Sequence, residues 1–525
     1  MMKMKPNKYI ILSILTGLML WLSWPMQSFT SLIFVAFIPL LFMVKEFSSH
    51  SNKKIFAYSF LSFFIWNILS SYWIWNASAL GMFVAVLLNS TLMSIVIIAY
   101  NYVLKKNNQA YANIALIALW ISMEYLHHHW DFAWPWLSLG NVFSERIEWV
   151  QWYEYTGIFG GTVWVLAVNL IIFQIINTYE PLALKLQVRK YLPVTLILFS
   201  PILLSKTIYS NYVEKINPCQ VVIVQPNVDP YNEKFNEGSE ESQFSKLISI
   251  SDSLAKKNTE FFIWPETTIP NTLSEDYLEE ELYVTKMHDF LDKYKNGTIL
   301  TGATTYKKYS TQETATARKY RSGECCYDIF NSALLIENSS ATQVYHKSKL
   351  VTGVEQMPYP SVFRFLEPLA LNLGGSVGSL GKQKTRSVFY TESGIGAAPV
   401  ICYESVFGEY VTEYIANGAQ FIAIVTNDAW WGNTAGHKQH ASIARLRAIE
   451  TRRSIARSAN TGISAIINQR GDVLHQTQYW VADGISSEIN LNNQITFYVK
   501  YGDYIARIAL YTSALIILLS LIRRK

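Results

Sequence analysis

The chain is 525 residues long, half of them hydrophobic and 14% aromatic, with only 16% charged and a net charge of +5. So much apolar surface excludes a single ordinary soluble domain, and the basic residues gather at the ends of apolar runs, which reads as lipid topology and not as a nucleic-acid surface. Four irregularly spaced cysteines, Cys219, Cys325, Cys326 and Cys402, exclude a disulfide framework, and no Cys/His spacing suggests zinc.

Seven apolar runs come first, at 9–25, 28–44, 55–76, 81–104, 111–127, 160–177 and 191–209, and an eighth covers 504–522. Each approaches the ~20 residues a helix needs to cross hydrocarbon. The first has no small-x-small cleavage site and is followed almost at once by the second, so it is read as a retained helix and not as a signal peptide. Lys3, Lys5 and Lys8, then Lys45, Lys53 and Lys54, then Lys105 and Lys106, then Lys185, Arg189 and Lys190, and finally Arg523, Arg524 and Lys525 fall on one side of such a bundle. The short loops on the other side hold only Arg146. Positive residues accumulate on the cytoplasmic side, which predicts both termini inside and the segment 211–503 outside the cytoplasm. The run 111–127 carries Glu124, so a re-entrant or surface helix is the alternative there.

The loop after that run is rich in aromatic residues: His127, His128, His129, Trp130, Trp134, Pro135, Trp136, Trp149 and Trp152. It reads either as a headgroup-level anchor or as the wall of a lipid-binding cleft. The three histidines have no carboxylate or cysteine at metal-ligand spacing.

From residue 219 the pattern changes to short β-branched runs separated by helical stretches: 219–227, 260–266, 297–303, 332–337, 398–405, 421–428 and 462–468. Their nearly continuous hydrophobicity predicts strands buried on both faces of an α/β fold. A helix is predicted over 437–459, with its arginines facing water. The expected divisions are a membrane domain at 1–210, an extracytoplasmic domain at 211–503, and a terminal helix with a basic tail at 504–525. Pairing among Cys219, Cys325 and Cys326 stays open.

Three runs end in reactive side chains. Glu266 follows an apolar strand and a proline, where desolvation should raise its pKa and make it a better base, although a helix-start carboxylate reads the same way. Cys402 sits at a sharp break after a buried strand, as a presented nucleophile would, although a lone buried cysteine is often inert. Lys347, with Glu355 eight residues on, has little specificity by itself. Together they fit one mechanism: a thiolate attacks a carbonyl, a carboxylate carries the proton, and an ammonium stabilises the oxyanion.

In order along the chain, IWPE, YHKSKLV followed by Glu355, ICYE and NDAWWG resemble the Glu-Lys-Cys motifs of the nitrilase superfamily. With seven helices before that domain and one after, the whole resembles the bacterial apolipoprotein N-acyltransferases of that superfamily. The likeness extends to the WPW loop and Glu124, and to QPN and RSANTGISAII.

The resemblance implies a bundle of about eight transmembrane helices with an αββα sandwich. It implies Glu266 as general base, Lys347 as oxyanion stabiliser, Cys402 as nucleophile and Glu355 as a second carboxylate, with Tyr403, Glu404, Phe235 and Trp430 lining or supporting the site. No cofactor or metal is implied. The implied partners are a phospholipid acyl donor, with phosphatidylethanolamine expected, and a diacylglyceryl apolipoprotein acceptor. The implied setting is a monomer in a bacterial inner membrane, with its catalytic domain on the periplasmic side. LVTGVE replaces the usual LVPFGE, and Phe235 stands near where the family has tryptophan, which bears on the pocket rim more than on the chemistry. The competing readings are a membrane-bound nitrilase or amidase acting on a small C–N substrate, and an inactive lipid- or lipoprotein-binding homologue.

Overall fold

Apolar length decides the first part of the chain. The structure, a computed structural model, describes residues 6–49, 51–178, 184–234, 236–319, 325–359 and 379–523. It divides into two units, one of residues 1–75, 79–212 and 501–525, the other of residues 76–78 and 213–500.

In the first unit every apolar run contains a helix: Pro6–Ser23, Ile38–Phe47, Asn52–Ser71, Ala79–Lys106, Gln109–His127, Tyr153–Asn177, Leu184–Asn211 and Tyr504–Ile522. Among the described residues, five stretches are long and apolar enough to cross a membrane: Thr30–Phe47, Ala79–Lys106, Tyr153–Asn177, Tyr191–Asn211 and Tyr504–Ile522. The second run is broken, because a short 3-10 turn at Thr30–Phe34 precedes the helix Ile38–Phe47. Asn169 satisfies the backbone freed at that break: its amide donates to the Ile33 carbonyl (2.8 Å) and its oxygen accepts from Phe37 N–H (2.9 Å). Backbone polar groups without such a partner are very costly in an apolar bundle.

Several polar side chains inside this unit are paired in the same way. Asn89 donates to Asn67 at 2.7 Å, and the Ser122 and Ser513 hydroxyls lie 3.0 Å apart. Glu124 is buried and accepts from the Trp120 indole (3.0 Å), Leu139 N–H (2.8 Å) and the Thr162 hydroxyl (2.8 Å), which ties the 135–143 loop to two helices. In the aromatic loop Trp134 stacks on Trp136, the Trp130 indole donates to His127, and His128 pairs with Ser138.

The second unit stacks two sheets. In the first sheet, β1 (Pro218–Gln225), β2 (Thr259–Ile263) and β4 (Thr298–Tyr309) run parallel, extended antiparallel by β14 (Asp483–Asn490) on one side and by β6 (Cys326–Glu337) and β7 (Ser340–His346) on the other. The short strands β3 (Thr272–Ser274) and β5 (Arg318–Lys319) pair with β4 and β6. The second sheet runs β13 (Val473–Gln476), β12 (Ala465–Ile467), β11 (Ile455–Ala459), β10 (Phe421–Thr426), β9 (Gly396–Ile401) and β8 (Phe389–Tyr390), with β9, β10 and β11 parallel.

Alternation along β2 shows the layering. Phe261 meets Phe421 of the second sheet edge-on, with ring centroids 5.0 Å apart, whereas Phe262 joins Phe244, Leu247 and Phe290 under the helices Glu240–Leu254 and Leu282–Leu291. The helices Gly408–Ala416 and Ala435–Thr451 accompany the second sheet. This is a nitrilase-like α/β domain.

One predicted element needs correction. The helix expected over 437–459 covers Ala435–Thr451 and ends at Arg452, whose φ of 49° is left-handed; the chain then continues as β11. Four of the five arginines in that stretch do not face water. Arg447, Arg452, Arg453 and Arg457 are all buried. Each donates to a carbonyl or a carboxylate, Arg453 to Ala419 O and Gln494 O and Arg447 to Val406 O and Glu450, which offsets the loss of water.

Candidate active site

The strand order brings three strand ends together. β2 runs into Trp264–Pro265–Glu266, and pairing with β4 continues past its end: Trp264 N–H donates to Leu300 O, Gly302 N–H to Pro265 O and Thr268 N–H to Gly302 O. Gly302 permits this approach, because a Cβ there would lie 2.5 Å from Glu266 Cα and 2.7 Å from Thr267 N. β7 delivers Lys347, whose N–H donates to Asn331 O of β6 at 2.8 Å. β9 ends at Cys402, which takes a left-handed φ of 48° and starts the 3-10 turn Cys402–Val406. That conformation is disfavoured for a residue with a Cβ, and it turns the side chain sharply off the strand.

Lys347, Glu266 and Cys402 are only 1%, 6% and 7% exposed. One oxygen of Glu266 accepts from Lys347 Nζ (2.9 Å) and Asn331 Nδ2 (2.8 Å), and the other accepts from Asn427 N–H (3.1 Å). The Cys402 thiol lies close enough to this carboxylate and to the Lys347 ammonium for both charges to act on it. Glu355 mirrors the arrangement: one oxygen accepts from Lys347 Nζ and Asn331 Nδ2, at 2.9 and 2.8 Å, and the other from Val351 N–H at 2.7 Å. The altered LVTGVE segment therefore still folds its carboxylate onto the lysine, through a turn with Gly353 at φ 83°.

The electrostatics differ from the sequence expectation at Glu266. Burial does push its pKa up, but the Lys347 charge and the hydrogen bonds from Lys347 and Asn331 outweigh it, and the carboxyl is held below its usual range. Burial likewise acts to lower Lys347, yet Glu266 and Glu355 hold its ammonium well above the ordinary value. Burial and the neighbouring Glu266 charge raise Cys402 well above a free thiol. The resting arrangement is carboxylate, ammonium and neutral thiol.

The supporting residues are placed differently. Glu404 does not line the site. It is fully buried, and its carboxylate accepts from Ile401 N–H (2.9 Å), Ser348 N–H (2.7 Å), Tyr345 OH (2.8 Å) and Tyr410 OH (2.5 Å), so it braces the strand end before Cys402 against the segment after Lys347. Tyr403 is also buried, edge-on to Phe407 with ring centroids 5.2 Å apart. Trp430 is half-buried, with its ring edge-on to Tyr231. Phe235 lies outside the described residues. All four cysteines are free, and Cys219 is buried.

Sequence reasoning missed Asn331, whose amide bridges the two carboxylates, and Lys234, which donates to the Thr267 hydroxyl at 2.7 Å and which burial pulls down to about 8. The signal for Asn331 was a polar residue opening the apolar run NSALLIE; nothing marked Lys234.

Two family models match the chain: "Apolipoprotein N-acyltransferase N-terminal domain" over residues 16–171 and "Carbon-nitrogen hydrolase" over residues 220–495. Among named relatives, an apolipoprotein N-acyltransferase of Chlorobaculum tepidum is 28% identical over 99% of this chain and 98% of its own. One of Geobacter metallireducens is 25% identical over 95% of this chain and 93% of its own. A nitrilase-superfamily structure from Saccharomyces cerevisiae aligns with a TM-score of 0.37 at 14% identity, over 52% of this chain and 90% of that one. The chain belongs to the carbon-nitrogen hydrolase family.

Proposed function

We propose that this family member is a bacterial membrane N-acyltransferase, moving a fatty acyl chain from a phospholipid to the N-terminal amine of a diacylglyceryl-cysteine lipoprotein through a thioester on Cys402. The observation that carries the reading is the set Glu266, Lys347 and Cys402, buried together with the first two ion-paired at 2.9 Å, on a chain that also holds several helices apolar enough for a membrane. Resemblance to apolipoprotein N-acyltransferases along nearly its whole length supports the choice of substrates.

In the first half-reaction Cys402 Sγ attacks the ester carbonyl carbon while its proton passes to Glu266. The oxyanion that forms is stabilised by the Lys347 ammonium, which the two carboxylates keep charged and aimed. Collapse breaks the bond to the glycerol oxygen, which takes the proton from Glu266 and leaves as the lysophospholipid alcohol. In the second half-reaction the lipoprotein amine attacks the thioester carbon and gives up a proton to Glu266. The Cys402 sulfur then leaves and recovers that proton. Glu355 and Asn331 keep Lys347 and Glu266 in register through both halves.

A thiol that is neutral at rest suits this cycle, since sulfur becomes nucleophilic only as its proton moves to Glu266. Water kept from the buried site would otherwise hydrolyse the thioester. The test is purified protein in detergent with phosphatidylethanolamine and a synthetic diacylated lipopeptide, followed by mass spectrometry. The lipopeptide should gain one acyl chain as an amide in step with lysophospholipid release. Free fatty acid with no change in the lipopeptide would make the enzyme a hydrolase and end the transferase reading.

A further inference from the structure

Behind Cys402 lies a second polar cluster with no part in the proton transfers above. His440, on the helix Ala435–Thr451, places Nε2 3.2 Å from the Cys402 carbonyl oxygen and 3.0 Å from Ser405 Oγ. The Ser405 hydroxyl donates to the same carbonyl at 2.7 Å. At the opposite edge of the ring, Nδ1 is 2.9 Å from Asp428 Oδ1, just beyond the end of β10. Asp428 is fixed in turn, since Arg457 of β11 donates to its Oδ2 at 2.7 Å and the Thr426 hydroxyl to its Oδ1 at 3.0 Å. A Cβ on Gly462 would lie 2.4 Å from Asp428 Oδ2, so a glycine lets that loop close over the carboxylate. Asp428, His440 and Arg457 are fully buried, and Ser405 is 1% exposed.

A carbonyl oxygen only accepts, so His440 donates to it in the tautomer with its hydrogen on Nε2, and Nδ1 then accepts from Arg457 Nη2, 3.1 Å away. Two donors therefore hold one peptide oxygen, and that peptide follows the left-handed φ of Cys402. A planar trans peptide points its N–H opposite its C=O, so fixing the carbonyl also fixes Tyr403 N–H, and with β9 paired as far as Ile401 on the other side it restrains ψ of Cys402 and so the direction of its Cα–Cβ bond. The nucleophile otherwise sits in a backbone conformation that it would readily leave.

We propose that His440, oriented by the Arg457–Asp428 pair, is a positioning residue that, together with Ser405, clamps the Cys402 carbonyl and holds Sγ at its angle of attack. The proposal rests on the reading of Cys402 as the nucleophile. Misplacement of a reacting atom by about 1 Å costs on the order of 100-fold in rate. His440→Ala should therefore slow acyl-enzyme formation from phosphatidylethanolamine by about 100-fold, with KM for the lipid unchanged. His440→Gln, whose amide N–H can reach the same carbonyl, should recover about tenfold of that loss, and Ser405→Ala should lose less than His440→Ala.

A merely structural role would lower the unfolding midpoint and slow both His440 variants alike. Acylation of His440→Ala at the wild-type rate, or a loss equal in His440→Gln, overturns the proposal. Should His440→Ala fail to fold, His440→Gln and Ser405→Ala decide, and wild-type rates in both overturn it. Alkylation of Cys402 by iodoacetamide separates this inference from the lipid reading. If the wild type takes no acyl chain, the lipid reading falls, while slower alkylation in the His440 variants than in wild type still supports the clamp and equal alkylation rejects it.

Discussion

The Lys347 ammonium and the Glu266 carboxylate stand 2.9 Å apart with side chains 1% and 8% exposed, so each holds the other in its charged form in a place where neither would ionise alone. Glu266 is thereby kept below the usual carboxylate range while burial raises the Cys402 thiol. A depressed carboxyl stays ionised until the pH falls through its folded value, and a raised thiol stays protonated until the pH is alkaline. The rate of Cys402 acylation should accordingly be flat between about pH 5 and about pH 8.5, because neither group changes state in that window. Single-turnover rates across it check this. A tenfold rise per pH unit toward alkaline pH would mean that the free thiolate attacks unaided.

Gly302 makes a second prediction. Its missing Cβ is what lets β4 pass against Glu266, and all three atoms that a new methyl would strike are backbone. Gly302→Ala must displace Glu266 and should reduce acylation by about 100-fold, while the thermal midpoint moves far less in proportion. Comparing acylation kinetics with a melting curve on the same sample checks this, and wild-type kinetics would show that the base tolerates displacement.

Glu404 predicts the opposite pattern. Its carboxylate collects six donors from three segments, so Glu404→Gln leaves Tyr345 or Tyr410 facing an amide in a dry interior. Loss of a charged, buried acceptor should cost about 3 kcal/mol of stability, with activity falling as a consequence. Denaturant unfolding of the variant measures the cost directly, and an unchanged midpoint would contradict the bracing role.

Glu266 and Cys402 were legible because each follows an apolar strand, whereas Lys347, after the polar strand Ser340–His346, stood out only through its place in an ordered set of motifs. The helical unit was legible from the length of its runs, and the domain from β-branched runs that the sheets bury. Less visible was whatever depends on partners distant in sequence. The strands Ser340–His346, Ile455–Ala459 and Asp483–Asn490 are polar or contain arginine, and they pair because neighbours satisfy them. Arg453 and Arg457 looked like solvated helix residues until carbonyls and a carboxylate closed around them. The break at residues 35–37 was hidden because Asn169, far along the chain, supplies its missing hydrogen bonds. The resemblance implied Glu404 at the site, and in the fold its carboxylate is taken up by Ile401 N–H, Ser348 N–H and two tyrosine hydroxyls.

The most direct test of the central claim is the intact mass of the purified protein after incubation with phosphatidylethanolamine, for wild type and for Cys402→Ala. The account predicts a gain of one acyl chain on the wild type alone, removed by hydroxylamine and discharged by a diacylated lipopeptide. An adduct of equal size on Cys402→Ala, or none on wild type and on Glu266→Gln with any of several phospholipids, would contradict it.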